Sequence, residues 1–220
     1  MKKVFLSAIA VCAFGLANAQ SVKFGVKAGV NIATLTGDAV ADDVSMKVGF
    51  NAGGLAEIKF TDMIALQPEV LFSMQGARTV DRSNDIVGNR FEDESSVNLG
   101  YINVPVMLKI YPTKSFFLEG GPQVGFLISA KSKNDYTSNY VDGTTTVESE
   151  TVDIKDNLKT LDVAFNLGLG YDFTENLFIN ARYSLGLTNV YDTPDFLGGL
   201  GITELDAKNG TISVNVGYKF

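Results

Sequence analysis

The side chains that most often carry out acid–base or nucleophilic chemistry are nearly missing from this 220-residue chain. It has no histidine, no tryptophan and a single cysteine, Cys12, which lies in an apolar run near the N-terminus. Histidine changes charge near neutral pH and cysteine supplies a thiolate, so the commonest routes to general-base and nucleophilic catalysis are closed. Carboxylates remain. Glu57 and Glu69 could in principle divide the acid and base roles on a glycan. Among lysines of the same phase they read instead as ion-pair partners. Asp38, Asp42 and Asp43 match no calcium-loop spacing, so no metal is assigned. The expectation is a non-enzymatic protein without a cofactor.

The first residues bear on compartment. Met1-Lys2-Lys3 is a positive start, an apolar run follows, and Ala17-Asn18-Ala19 is a small-x-small cleavage site, the layout of a secretory signal peptide. The run is too short for the ~20 residues of a spanning helix. Val11 is not the small residue that precedes a lipid-attachment cysteine. The reading is a signal peptide over 1–19 and one domain over 20–220, with no thiol after cleavage. Without Lys2 and Lys3 the domain has 16 basic and 25 acidic residues, a net charge near −9, which argues against nucleic acid.

The elements that must position these charges alternate with period two. Val22, Phe24, Val26, Ala28, Val30 and Ile32 share one phase; Lys23, Gly25, Lys27, Gly29 and Asn31 share the other. The pattern recurs near 46–60, 64–77, 97–111, 115–130, 160–173, 177–190 and 210–220, which is a strand signal. Short turns at 61–63, 111–114 and 174–176 alternate with long polar connections at 35–45, 78–96, 131–159 and 191–209. This predicts an all-β fold: an eight-stranded antiparallel up-and-down transmembrane β-barrel in the outer membrane, with the short turns periplasmic.

A soluble lipocalin-type barrel alternates too, with its apolar face inward. The polar phase here is rich in glycine, which suits a narrow lumen crowded by a few long side chains. Lys23, Lys27, Lys59, Lys109, Arg182 and Lys219 fall in it, as do Glu57, Glu69, Glu119, Asp162 and Asp172. Such charges persist inside only when paired, so a lumen ion-pair network is expected. Phe60, Tyr111, Tyr171, Phe173, Tyr218 and Phe220 read as an interfacial girdle. Pro68, Pro105 and Pro122 fall within adjacent strands, and curvature-adjusting bulges are favoured over a weakened contact patch. Asp142-Gly143 is a type I′ turn signal, predicting that strands five and six run beyond the membrane as a two-stranded flap. The four long connections carry 18 acidic and 8 basic residues, a surface that could bind bridging cations or a basic partner, although acidic loops more often simply solvate the cell-facing end.

The segments LQPEVLFSMQGA (66–77), YINVPVMLKIY (101–111), FFLEGGPQVGFLIS (116–129) and ARYSLGLTNV (181–190) resemble, in order, the PorT-like outer-membrane β-barrel family. The resemblance implies an eight-stranded barrel and little about activity. Its namesake is linked to protein secretion, which makes an accessory role in secretion or assembly one alternative. The closing GYKF resembles the terminal signal read by the barrel assembly machinery, with Tyr218 and Phe220 as its aromatics; Asn215 stands where glycine is more usual. The functional expectation is a plugged barrel, set in outer-membrane lipid, that stabilises the envelope or binds an envelope partner through acidic loops. A small passive pore is the other alternative.

Overall fold

The computed structural model describes residues 21–36, 45–190 and 207–220. The expected leader and parts of two long connections lie outside the described residues. Among the described residues nine strands are formed: β1 (Ser21–Thr36), β2 (Ser45–Lys59), β3 (Ile64–Asn84), β4 (Arg90–Ile110), β5 (Phe116–Asn139), β6 (Thr145–Asp153), β7 (Leu161–Asp172), β8 (Leu177–Asn189) and β9 (Lys208–Lys219). All pairings are antiparallel, and eight strands close a ring β1-β2-β3-β4-β5-β7-β8-β9. β9 closes it onto β1, from Gly25 opposite Lys219 to Thr36 opposite Lys208. The fold is therefore an eight-stranded up-and-down barrel, with no free edge in the ring.

Burial decides which way the faces point. On β9, Val216 is 54% and Tyr218 47% exposed, while Asn215 and Lys219 are 1% exposed. β1 repeats the pattern, with Phe24, Val26 and Val30 outside and Lys27 and Asn31 inside. Apolar outside and polar inside is the reverse of a soluble barrel and matches a wall that faces hydrocarbon.

Three tight turns share one end of the ring, and each uses a threonine. Thr61 Oγ1 accepts from the Met63 and Ile64 amides, Thr113 Oγ1 from Phe116, and Thr174 Oγ1 from Asn176 and Leu177. A hydroxyl that takes up amides two or three residues ahead closes a short turn without help from neighbours.

The prolines do not mark bulges. Pro68 opposes Val106, Pro105 opposes Gln123 and Pro122 opposes Phe165, with the register unchanged on either side. Proline removes one ladder hydrogen bond without adding a residue, so the strands need not slip. Register shifts fall elsewhere, between Met46 and Asn51, Gly100 and Tyr101, and Leu185 and Asn189. At the second, Gly100 opposes Ser129 while Tyr101 opposes Leu127, leaving Ile128 over. The inward phase of β5 then switches from odd to even, and both Leu127 and Ala130 are buried.

Beyond the ring, the segments read as loops at 78–96 and 131–159 are largely strand. The ends of β3, β4 and β5 join β6 in a four-stranded sheet, larger than the two-stranded flap expected. β6 pairs with β5 and is separated from β7 by a short 3-10 turn, Lys155–Asn157. The β5–β6 connection does turn at Asp142 and Gly143, but not as type I′. Only Gly143 has a positive φ, 86°; its amide donates to the Tyr140 carbonyl, and the Tyr140 amide to Thr144. That is a type I turn closed by a glycine bulge. The β3–β4 tip repeats it, with Gly88 at φ 98° and bonds from Gly88 to Asp85 and from Asp85 to Asn89. The Val141 amide donates to Asn89 Oδ1 at 2.9 Å and ties the two tips together.

Candidate functional site: the barrel lumen

The polar phase of eight strands converges on one enclosed space, in layers. Nearest the short turns, Glu57 on β2 meets Lys109 on β4 at 2.9 Å and Lys219 on β9 at 3.2 Å. Lys219 also reaches Asp172 on β7 at 3.0 Å, and the Tyr111 hydroxyl donates to Glu57 at 2.8 Å. Tyr111, Phe117 and Phe178 wall this cluster with Leu55 and Ala65, and the Lys109 ammonium sits 3.6 Å from the Phe117 ring centre. Such a contact favours a desolvated ammonium.

Gln67 links this layer to the next, accepting from Lys109 at 3.0 Å and donating to Glu69 at 2.7 Å. Glu69 is held by Lys27 at 2.7 Å and by both terminal nitrogens of Arg182, at 3.1 and 2.9 Å. Arg182 Nε donates to Glu119 at 2.9 Å, and Asn180 adds a bond of 2.7 Å to the same oxygen. Each layer holds two cations and two carboxylates, so each is neutral. That balance is what permits full burial of the charges.

Glycines make the room. Phe117 lies opposite Gly170 and Phe178 opposite Gly217. A Cβ on Gly217 would come within 2.2 Å of the Phe178 ring, and one on Gly170 within 2.3 Å of Phe117. Large and empty positions alternate across the strands, so the lumen fills without strain.

Above the second layer the lining turns to amides and hydroxyls. Asn51 donates to Asn31, Asn31 to Ser73, and Asn166 to Gln123. The small cavity they line has room for ordered water. Leu35, Ala77, Leu99, Tyr101, Leu127 and Ala130 then form an apolar layer, covered by Leu158 from the β6–β7 connection and by Val190.

The expected charged residues thus divide. Lys27, Glu57, Glu69, Lys109, Glu119, Asp172, Arg182 and Lys219 come together. Lys23 does not: it bonds Glu175 in a turn outside the lumen, because its row lies below the ring's filled section. Lys59 stands at the rim, a third exposed and 3.9 Å from Glu57. Asp162 is buried but has no cation partner among the described residues. The girdle needs one correction. Tyr171, Phe173, Tyr218 and Phe220 are on the outer wall, but Tyr111 is buried inside. It shares the odd phase of Lys109, and that parity could have placed it. The apolar layer and the amide cavity had no sequence signal of their own.

A closed antiparallel ring, apolar outside and polar inside, defines a transmembrane β-barrel. The chain belongs to the outer membrane protein β-barrel domain family, whose profile matches residues 18–192, and its place is the outer membrane. No protein of curated function matches it in sequence. Among solved structures it is similar to Ail of Yersinia pestis, solved with the heparin analogue sucrose octasulfate. The identity is 17% and the TM-score 0.44, over 91% of this chain and 100% of that one. OprG of Pseudomonas aeruginosa matches at 11% identity and a TM-score of 0.40, over 93% and 99%. Neisserial surface protein A matches at 16% and 0.37, over 91% and 100%.

Proposed function

We propose that this protein is a non-enzymatic, non-conducting barrel, whose charge-paired lumen is a plug and whose role is to present an acidic extracellular sheet that stabilises the envelope or binds an envelope partner. The observation that carries this reading is the stack of two neutral, buried ion clusters, the first walled by aromatic rings and the second followed by an amide-lined cavity and then an apolar layer. Moving an ion along that axis would require breaking bonds of Glu57 or Glu69 whose loss is costly in a dry interior. The sheet itself carries Glu148, Glu150 and Asp153 on β6, all exposed. Tyr218 and Phe220 serve the assembly machinery during biogenesis and then the lipid interface. Single-channel recording of the refolded barrel in planar bilayers tests the plug. Silence is the expected result; steady conductance would replace this reading with the small passive pore.

The order of segments that resembles the PorT-like barrels favours a second reading, an accessory of a secretion or assembly system. Affinity isolation from solubilised membranes tests it, and recovery of no envelope protein counts against it.

A further inference from the structure

β6 is the last strand of the sheet outside the membrane: β5 lies on one side of it, and no described strand lies on the other. The ladder fixes which of its backbone groups are left over. The Tyr140 amide donates to the Thr144 carbonyl at one end, and the Ile154 amide to the Ala130 carbonyl at the other. Between these ends the register runs unbroken, from Asn139 opposite Thr145 to Lys131 opposite Asp153. Antiparallel bonds fall at every second residue, so the even-numbered residues of β6 bond to β5. The amides and carbonyls of Thr145, Val147, Ser149 and Thr151 therefore point away from the sheet. Natural edges are blunted by lysine, proline or a bulge, and β6 has none of these.

Charge is divided between the two faces of this sheet. One face holds ion pairs: Arg78 with Glu94, Arg82 with Glu92 and Lys133 with Asp135. On the other, Glu148 stands opposite Tyr136, Tyr136 opposite Asp93, and Asp93 opposite Asp81. Glu150 shares that face, and its rows contain no lysine or arginine among the described residues. Residues 37–44 and 191–206 add none. Two aspartates directly opposite each other are unfavourable, so this face lacks the counter-charge that the first one has.

We propose that β6 is a docking edge for an extended basic peptide, which adds antiparallel to the sheet as a further strand and carries lysine or arginine at alternate positions. The free backbone groups supply the ladder, and Glu148 and Glu150, on one face of the edge, select the charge. The residues of the incoming strand opposite these glutamates make no ladder bonds to β6, and at such pairs side chains come closest. A second copy of the chain is the wrong occupant. Paired antiparallel about Ser149, each edge would set its Glu148 against the other's Glu150, and like charges directly opposite repel. The inference rests on the reading that the sheet binds a partner, and it names the chemistry of that partner.

The test is amide hydrogen exchange by NMR, on the refolded barrel in micelles with a blocked peptide of alternating threonine and lysine, as long as β6. Saturable binding should slow exchange several-fold at Val147, Ser149 and Thr151. The amides of Glu148 and Glu150, already bonded to β5, should be unchanged. N-methylation of the peptide's threonine amides should weaken binding strongly, and N-methylation of its lysine amides should not. Glu148→Lys combined with Glu150→Lys, both at exposed positions, should weaken this peptide several-fold and accept one of alternating threonine and glutamate instead. Binding that ignores where the methyl groups sit overturns the edge and leaves the acidic sheet as a binding surface. Absence of saturable binding overturns the inference, while bilayer recording decides the plug separately. Protection of Val147, Ser149 and Thr151 without peptide, growing with barrel concentration, also overturns it, because the edge then belongs to a second copy.

Discussion

β5 belongs to two different worlds. From Phe116 to Gly125 it is a staff of the barrel, paired with β4 and β7; from Lys131 to Asn139 it is part of an open sheet, paired with β4 and β6. In the first half, the large inward side chains meet fixed counterparts, Glu119 with Arg182 and Phe117 with Gly170. In the second half, ion pairs such as Lys133 with Asp135 lie in water, where they contribute little. β6 is exposed at all nine positions. The same backbone pairing continues across the boundary while the source of stability changes. Inside the membrane it is the satisfaction of buried polar groups. Outside it is ladder bonds and turn geometry.

The largest break in this comparison should come from Glu69→Ala. It strands Lys27 and Arg182 in the lumen, and losing one side of a buried ion pair costs about 3–5 kcal/mol. The variant should unfold at markedly lower urea by far-UV circular dichroism and lose its heat-modifiable gel mobility. Glu150→Ala on β6 should stay within about 0.5 kcal/mol of the parent, as exposed substitutions do. Equal losses for the two would erase the distinction between the regions.

Gly217→Val is expected to be next. The new side chain would collide with the Phe178 ring, whereas Gly54 on the outer wall has its nearest atom 3.9 Å away. Overpacking of this kind costs about 1–3 kcal/mol. Gly54→Ala should be near neutral in the same urea titration. If Gly217→Val is also neutral, the lumen is not packed by paired large and empty positions.

This contrast also explains what could be read from the amino acids. Period two is the mark of a strand with different surroundings on its two faces, so the ring from Phe24 to Phe220 was legible. Where both faces meet water the alternation lapses. For that reason 78–96 and 131–159 read as loops, although β3, β4, β5 and β6 run through them. Residue type and phase together pointed Glu57, Glu69, Lys109 and Arg182 inward. They could not say which carboxylate would lack a partner, because Asp162 differs from Asp172 only in the residues that its row brings across the lumen. The extra residue at Ile128 was invisible for a similar reason: a bulge is set by the register of two strands, and one strand's pattern does not contain it.

Outside the membrane, Gly143→Val sharpens the comparison at lower cost. It forces a branched residue to a φ of 86°, a left-handed conformation worth roughly 1–2 kcal/mol of strain. Because the sheet is held by local geometry, that cost should appear as faster hydrogen exchange near Tyr140 and Thr144. The urea midpoint of the barrel should not move. A shift in that midpoint would mean that sheet and ring unfold as one unit.

The smallest effect should come from acid at the same tips. The Asn89 amide, with help from those of Val87 and Gly88, holds the Asp85 carboxyl below its ordinary value. The Thr144 amide does the same for Asp142. A carboxylate depressed in the folded state contributes order that is complete above its unfolded pKa, about 3.9, and is lost as pH falls through the folded value. The tips should therefore be unchanged from neutral pH to about pH 4 and loosen only below it, seen as converging amide shifts of Gly88 and Gly143. Asp85→Asn, which keeps an acceptor oxygen but no titrating charge, should flatten that response at Gly88 and leave Gly143 responding. If both glycines respond alike in the variant, the link from Asn89 to Val141 couples the tips more tightly than two independent turns would allow.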